Sequence, residues 1–164
     1  MTHEYHFDWQ IDLASPPEAL WPLAADTNRF NHDTGLPSIT HITNAADLQP
    51  GKYRLTFTLF GQRVTWDESP FDWVYPHRFG VLREYRTGPV RQMRVSAELT
   101  PRDGGGTRLR YQVWARPANL LGYAAIPIQI GLISARRFVA TFKAYDALVQ
   151  RGGQPFALPV GAPR

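Results

Sequence analysis

The residue whose setting most suggests chemistry is Arg83. It stands in the run Arg78-Phe79-Gly80-Val81-Leu82-Arg83-Glu84-Tyr85, where strand alternation puts Phe79, Val81, Arg83 and Tyr85 on one face. A guanidinium on an apolar face is costly unless it is paired. So placed, it can grip a carboxylate or phosphate through two parallel N–H bonds. The alternatives are a bulge that turns Leu82 and Glu84 inward, or an ion pair from Arg83 to Glu84 or Glu98. A second group is the acidic cluster Asp67, Glu68 and Asp72, set between Trp66 and Trp73. Buried paired carboxylates can do acid–base work. With Pro70 among them, a solvated strand end or ion pairs to Arg63 or Arg78 are the plainer expectation. Tyr111, Tyr145 and Trp66 offer hydroxyl or indole donors, and each also suits an ordinary core.

Other chemistries lack their residues. There is no cysteine, which excludes a disulfide framework, thiolate metal sites and a cysteine nucleophile. His3, His6, His32, His41 and His77 form no close pair at metal-binding spacing, so no metal site and no cofactor are expected. No serine sits in a GxSxG turn, and Gly104-Gly105-Gly106 is followed by neither a Lys-Ser/Thr pair nor a helix start. No catalytic residue set is assigned.

Most of the chain between positions 40 and 117 reads as antiparallel sheet. Glu4–Leu13 alternates strictly, with Tyr5, Phe7, Trp9, Ile11 and Leu13 on one side. Ser15-Pro16-Pro17-Glu18 reads as a capping box opening a short helix through Ala24. A second short helix is expected around Asn28–His32. Strands follow at Ile39–Ala45, Lys52–Phe60, Val64–Glu68 with Phe71–Tyr75, Arg78–Arg86, Val90–Thr100 and Thr107–Arg116. The tip Arg102-Asp103-Gly104-Gly105-Gly106 is a hairpin turn. A short helix or loop is expected at Leu120–Ile126, then one long helix from Pro127. Its apolar face runs through Ile128, Leu132, Ala135, Val139, Phe142, Tyr145 and Val149. Gly152-Gly153 stops it.

The architecture expected is therefore α+β: a curved antiparallel sheet of about seven strands, in the order β-α-α-β6-α, wrapped around a long C-terminal helix. Residues 1–152 form the domain, and the Pro/Gly-rich 153–164 reads as a tail or linker. A curved sheet covered by one helix leaves a cavity, which suits an apolar ligand. Its expected strand walls are Phe57, Leu59, Trp66, Trp73, Val81 and Val95, with Arg83 as the polar member. The last strand adds Tyr111 and Val113, and the helix adds Ile130, Leu132, Phe138 and Phe142.

Net charge is +4, and 16 of the 18 cations are arginine. Positions 1–50 hold seven acids and only Arg29, whereas 78–116 hold nine arginines and three acids. Such a stripe can bind nucleic acid or anionic lipid, but a solvated outer sheet face is expected, and no nucleic-acid partner. Trp114, outward among Arg108, Arg110 and Arg116, suits either an interface or a covered position. The acidic, alternating N-terminus is not signal-peptide-like, and the most apolar window, Leu120–Ile133, is too short to span a bilayer. A cytoplasmic location is the expectation.

Several strings carry a family resemblance. ASPPEALWPLAADTNRFNHDTGLP, together with the strand–helix order, resembles the START-like, helix-grip (SRPBCC) superfamily, which includes polyketide cyclases, plant pathogenesis-related proteins and lipid-transfer domains. The strings PFDWVYPHRFGVLREYRTGP, ELTPRDGGGTRLRYQV and NLLGYAAIPIQIG are more narrowly similar to the domain that precedes bacterial adenylate/guanylate cyclase catalytic domains. That catalytic domain, with its metal-binding carboxylates, is not in this chain. The resemblance covers about residues 4–150. It implies a helix-grip fold, a hydrophobic or amphipathic small-molecule ligand, and a regulatory role toward a downstream or separate signalling domain. Two other readings stay open: a polyketide cyclase or dehydratase-like enzyme, and a protein-interaction domain whose cavity its own aromatics fill.

Overall fold

The computed structural model describes residues 3–25, 41–43, 52–59 and 61–152. Seven antiparallel strands form one sheet: β1 (Tyr5–Leu13), β2 (His41–Thr43), β3 (Tyr53–Leu59), β4 (Gln62–Val74), β5 (Arg78–Tyr85), β6 (Val90–Pro101) and β7 (Thr107–Pro117). Six of them are substantial and β2 is a three-residue edge piece. Their spatial order is β1-β7-β6-β5-β4-β3-β2, so a meander from β2 to β7 is completed by β1 pairing with the last strand. The second short helix expected at 28–32 and the tail 153–164 lie outside the described residues.

Alternation organises the sheet into cross-strand rows on the concave face. One row runs Trp9, Tyr111, Ala97, Phe79, Trp73; the next runs Phe7, Val113, Val95, Val81, Pro70. A third runs Tyr5, Ala115, Met93, Arg83, Glu68, Tyr53. The register slips between Pro70 and Asp72, leaving Phe71 as the extra residue of a β-bulge. A Cβ on Gly80 would stand 2.5 Å from the Phe71 ring, so glycine is what lets that ring lie on the partner strand.

Helix α1 (Pro17–Ala24) buries Leu20, Trp21, Leu23 and Ala24. The expected capping box is not formed: Pro16 is the N-cap and no side chain caps the helix. Ser15 is instead buried and tied to the C-terminal helix. Its backbone N–H donates to Asp146 Oδ1 at 2.8 Å, and its Oγ accepts from Gln150 Nε2 at 3.1 Å. A proline at N1 with a serine used elsewhere explains the miss.

The C-terminal rod is three segments: α2 (Leu120–Ile126), a π-helical stretch Pro127–Ser134, and α3 (Ala135–Gln150). This corrects the expectation of one uniform helix from Pro127. Inward residues Ile126 of α2 and Phe138 of α3 are twelve positions apart. At 3.6 residues per turn they would be about a third of a turn out of phase. The wider i→i+5 turns between them absorb that excess. In consequence Ile128 and Leu132 point out, while Ile130 is packed against the core. Gly131 touches β1: a Cβ there would meet the Phe7 ring at 2.6 Å.

α3 packs on β1 and α1 through Phe138, Phe142 and Tyr145. The core therefore sits under the β1–β7–β6 half of the sheet. On the convex face the basic stripe meets the acids of β1: Asp8 pairs with Arg110, Asp12 with Arg108, and Glu4 with Arg116. Trp114 is half-buried, stacked on His6 at 4.7 Å with the Arg94 guanidinium 4.1 Å from its centroid. No described helix is long and apolar enough to cross a membrane.

Candidate ligand-binding site

The concave face has two unlike halves. Under α3, the aromatic rings close on one another: Tyr111 to Phe138 at 4.6 Å, Phe138 to Phe142 at 4.9 Å and Trp9 to Phe138 at 6.0 Å. Val81, Val95 and Val113 lie buried beside them. Toward β3 and β4, Phe57, Val64, Glu68, Tyr85 and Met93 are only half-buried. Phe57 and Trp66 meet edge to face at 5.4 Å, and Trp66 itself is buried.

Arg83 stands at the boundary of these halves. Its side chain is 8% exposed, and its Nε donates to Glu68 Oε2 at 2.8 Å. Trp66 Nε1 donates to the same oxygen at 3.4 Å, and the guanidinium lies 6.0 Å from the Trp66 centroid. No other carboxylate pairs with Arg83 among the described residues. Burial works against the charge, but the Glu68 carboxylate more than offsets it and holds Arg83 above the ordinary arginine value. Burial pushes the Tyr111 hydroxyl well up and raises Tyr85 too, against the opposing pull of Arg83. Both phenols are therefore neutral at physiological pH. They are donors, not bases.

The ion pair depends on the bulge. Trp73 faces Phe79 on β5, and an unbroken ladder from there would put Ser69 opposite Arg83. The extra residue moves Glu68 into that place and turns Trp66 and Glu68 to the concave side. Glu68 is the site residue that the sequence did not single out as one; alternation placed Tyr85 on the Arg83 face without giving it a role. The signal for Glu68 was its position two after Trp66, which puts both on one face.

The expected residues therefore fall into distinct places. Phe57, Trp66 and Arg83 line the open half. Val81, Val95, Tyr111, Val113, Phe138 and Phe142 form the packed half, with Ile130 half-buried at its margin. Trp73 stands at the rim, 56% exposed, edge-on to Trp21 at 5.6 Å. Leu132 is outside, turned away by the π-helical stretch. The Leu59 side chain lies outside the described residues. Of the acidic cluster, Asp67 is on the convex face between Arg54 and Arg86, and Asp72 pairs with Arg78. A separate hollow of about 420 Å³ is lined by Glu84, Tyr85, Arg91, Gln92 and Arg116, mostly from the convex-face row, and shares Tyr85 with the concave site. Among the described residues no group of His, Asp or Glu could hold a metal ion.

No family model matches the chain, and no curated protein matches it by sequence. Solved structures do match in fold. The Zhui aromatase/cyclase from Streptomyces sp. R1128 is 17% identical, with a TM-score of 0.59 over 91% of this chain and 95% of that one. Ara h 8.0201 is 15% identical, with a TM-score of 0.61 over 91% and 99%. The di-domain ARO/CYC StfQ of the steffimycin biosynthetic pathway is 10% identical, with a TM-score of 0.64 over 91% of this chain and 52% of that one. The chain thus has the helix-grip fold of the aromatase/cyclases.

Proposed function

We propose that the protein binds a hydrophobic or amphipathic small molecule on the concave face between sheet and C-terminal helix, and that it does so as a cytoplasmic sensory or regulatory module. Apolar parts of the ligand lie along Phe57, Trp66 and Met93. A ligand carbonyl or anionic group meets the Arg83 guanidinium, whose Nε donates to Glu68. The observation that carries this reading is that buried arginine, with Glu68 as its one carboxylate partner among the described residues, beside a half-open aromatic wall. Fold likeness to ligand-handling aromatase/cyclases supports it. Residues 153–164 then act as a linker toward a neighbouring signalling domain.

A cyclase-like enzyme is the second reading, favoured by the Tyr85 and Tyr111 hydroxyls close to Arg83. Arg83 and the two phenols can polarise a carbonyl. What this arrangement lacks is a base, since Glu68 is held by Arg83 and both phenols stay protonated. Binding without turnover is the better fit.

Native mass spectrometry of the protein purified from cells tests the proposal. The expected result is a small apolar mass, lost on denaturation and absent from Arg83→Met. A clean apo mass, with no thermal shift from fatty acids, sterols or aromatic polyketides, overturns it.

A further inference from the structure

The outward side of the rod from α2 through the π-helical stretch has no role in that ligand site. It is apolar. From Pro117 to Ala135 no residue is charged, and no acid occurs between Asp103 and Asp146. Leu120 is 89% exposed, Leu121 67%, Ile128 56% and Leu132 51%. Leu121, Ala124, Ile128 and Leu132 are all exposed along the rod, so they form one outward ridge. Gly122, Ile126 and Ile130 take the opposite side, against the protein. The ridge continues into exposed Arg136, four residues beyond Leu132. At its other end the backbone N–H of Ala118 donates to Pro89 O at 2.8 Å, which brings exposed Arg91 near the start of α2.

An exposed apolar ridge with cations at both ends and no acid within its own segment points to an anionic, apolar-backed surface. A second copy of the chain is a poor occupant. Ridge against ridge, two copies would face arginine with arginine, and the stretch holds no carboxylate to answer them. We propose that this ridge docks on the surface of an anionic lipid bilayer. Leu120, Leu121, Ile128 and Leu132 enter the boundary between headgroups and acyl chains, while Arg91 and Arg136 remain at phosphate level. The rod lies in the interface and does not cross it.

Sedimentation with vesicles tests this, using equimolar phosphatidylglycerol and phosphatidylcholine beside phosphatidylcholine alone. The protein should partition onto the anionic vesicles and far less onto the neutral ones. Ile128→Asp should lower partitioning about tenfold or more, the equivalent of one buried aliphatic side chain. Arg136→Gln should lower it about fivefold, the share of one cation at such a surface. Both positions are exposed, so melting temperature should not move; Leu121→Ser is the second variant if Ile128→Asp does destabilise. Absence of sedimentation, or equal sedimentation of all variants, overturns the proposal. So does a concentration-dependent dimer that Ile128→Asp dissolves, which would assign the ridge to a second copy. None of these results depends on whether Arg83 holds a ligand.

Discussion

The two faces of the sheet treat arginine in opposite ways. On the convex face each pair is built from half-exposed side chains: Arg108 with Asp12, Arg110 with Asp8, Arg116 with Glu4. These charges keep most of their water, so forming the pairs costs little and gains little. On the concave face one arginine, Arg83, has one carboxylate partner, Glu68, and both have left water. That pair cost desolvation to build, and breaking it leaves a charge stranded among aromatics. Abundance of ion pairs thus marks a solvated face, whereas a lone buried pair beside a half-open wall marks a place where another polar group can be received.

The largest effect separating the faces should come from Glu68→Gln. Removing the counter-charge while Arg83 stays buried should cost about 3–5 kcal/mol in urea unfolding. The double variant Glu68→Leu/Arg83→Met should recover most of that loss, since an apolar pair of similar volume has no charge to desolvate. The same double variant should lose the copurifying ligand. A loss under about 1 kcal/mol for Glu68→Gln would mean that water reaches Arg83 freely, and the contrast between the faces would fail.

The convex face has one intermediate case, Asp67, which receives Arg54 Nε at 2.7 Å and Arg86 Nη2 at 2.7 Å. Its side chain is 11% exposed, whereas that of Arg86 is 50% exposed. Hydrogen bonding from Arg54, then from Arg86, holds its carboxyl below the ordinary value of 3.8 against the opposing effect of burial. A depressed folded pKa means that the contribution is fully present above the unfolded value and is lost as pH falls through the folded one. Asp67→Asn should therefore cost about 1–2 kcal/mol at neutral pH. As pH falls below about 4 the unfolding curves of variant and parent should draw together, meeting only below the depressed folded value. Parallel curves across that range would remove Asp67 from the acid response.

Much of this contrast was legible in the sequence, and its limits have physical causes. Period-two alternation placed β1, β3, β5, β6 and β7, because each has one wet and one dry face. It also brought Arg83 to the dry face. It did not provide Arg83's partner: Glu68, two after Trp66, shares its face, but only the one-residue bulge at Phe71 sets it opposite Arg83. A one-residue insertion leaves no compositional trace beyond Pro70. The helix failed for the matching reason. A 3.6 periodicity assumes uniform turns, and eight π-helical residues shift the phase enough to exchange Leu132 for Ile130. Trp73 was read as wall and stands at the rim, since the concave face runs on past the rod to the end of the sheet beside α1.

The smallest effect belongs to the β1–β7 ladder and bounds the comparison from below. Arg108 donates to both carboxylate oxygens of Asp12, at 2.8 and 3.0 Å, in good bidentate geometry. Arg102 approaches the same carboxylate at 3.5 Å. If geometry decided strength, Arg108→Ala would rival the concave pair. The side chains are 54% and 41% exposed, so solvent and salt already do most of what the partner does. Arg108→Ala should leave the melting midpoint within the scatter of repeat measurements, and added salt should not change that result. A clear destabilisation at low salt that vanishes at high salt would show the convex pairs acting as a network. The arginines of β7 would then hold β1 to the sheet edge by charge, and not only by the backbone ladder that runs from Tyr5 to Leu13.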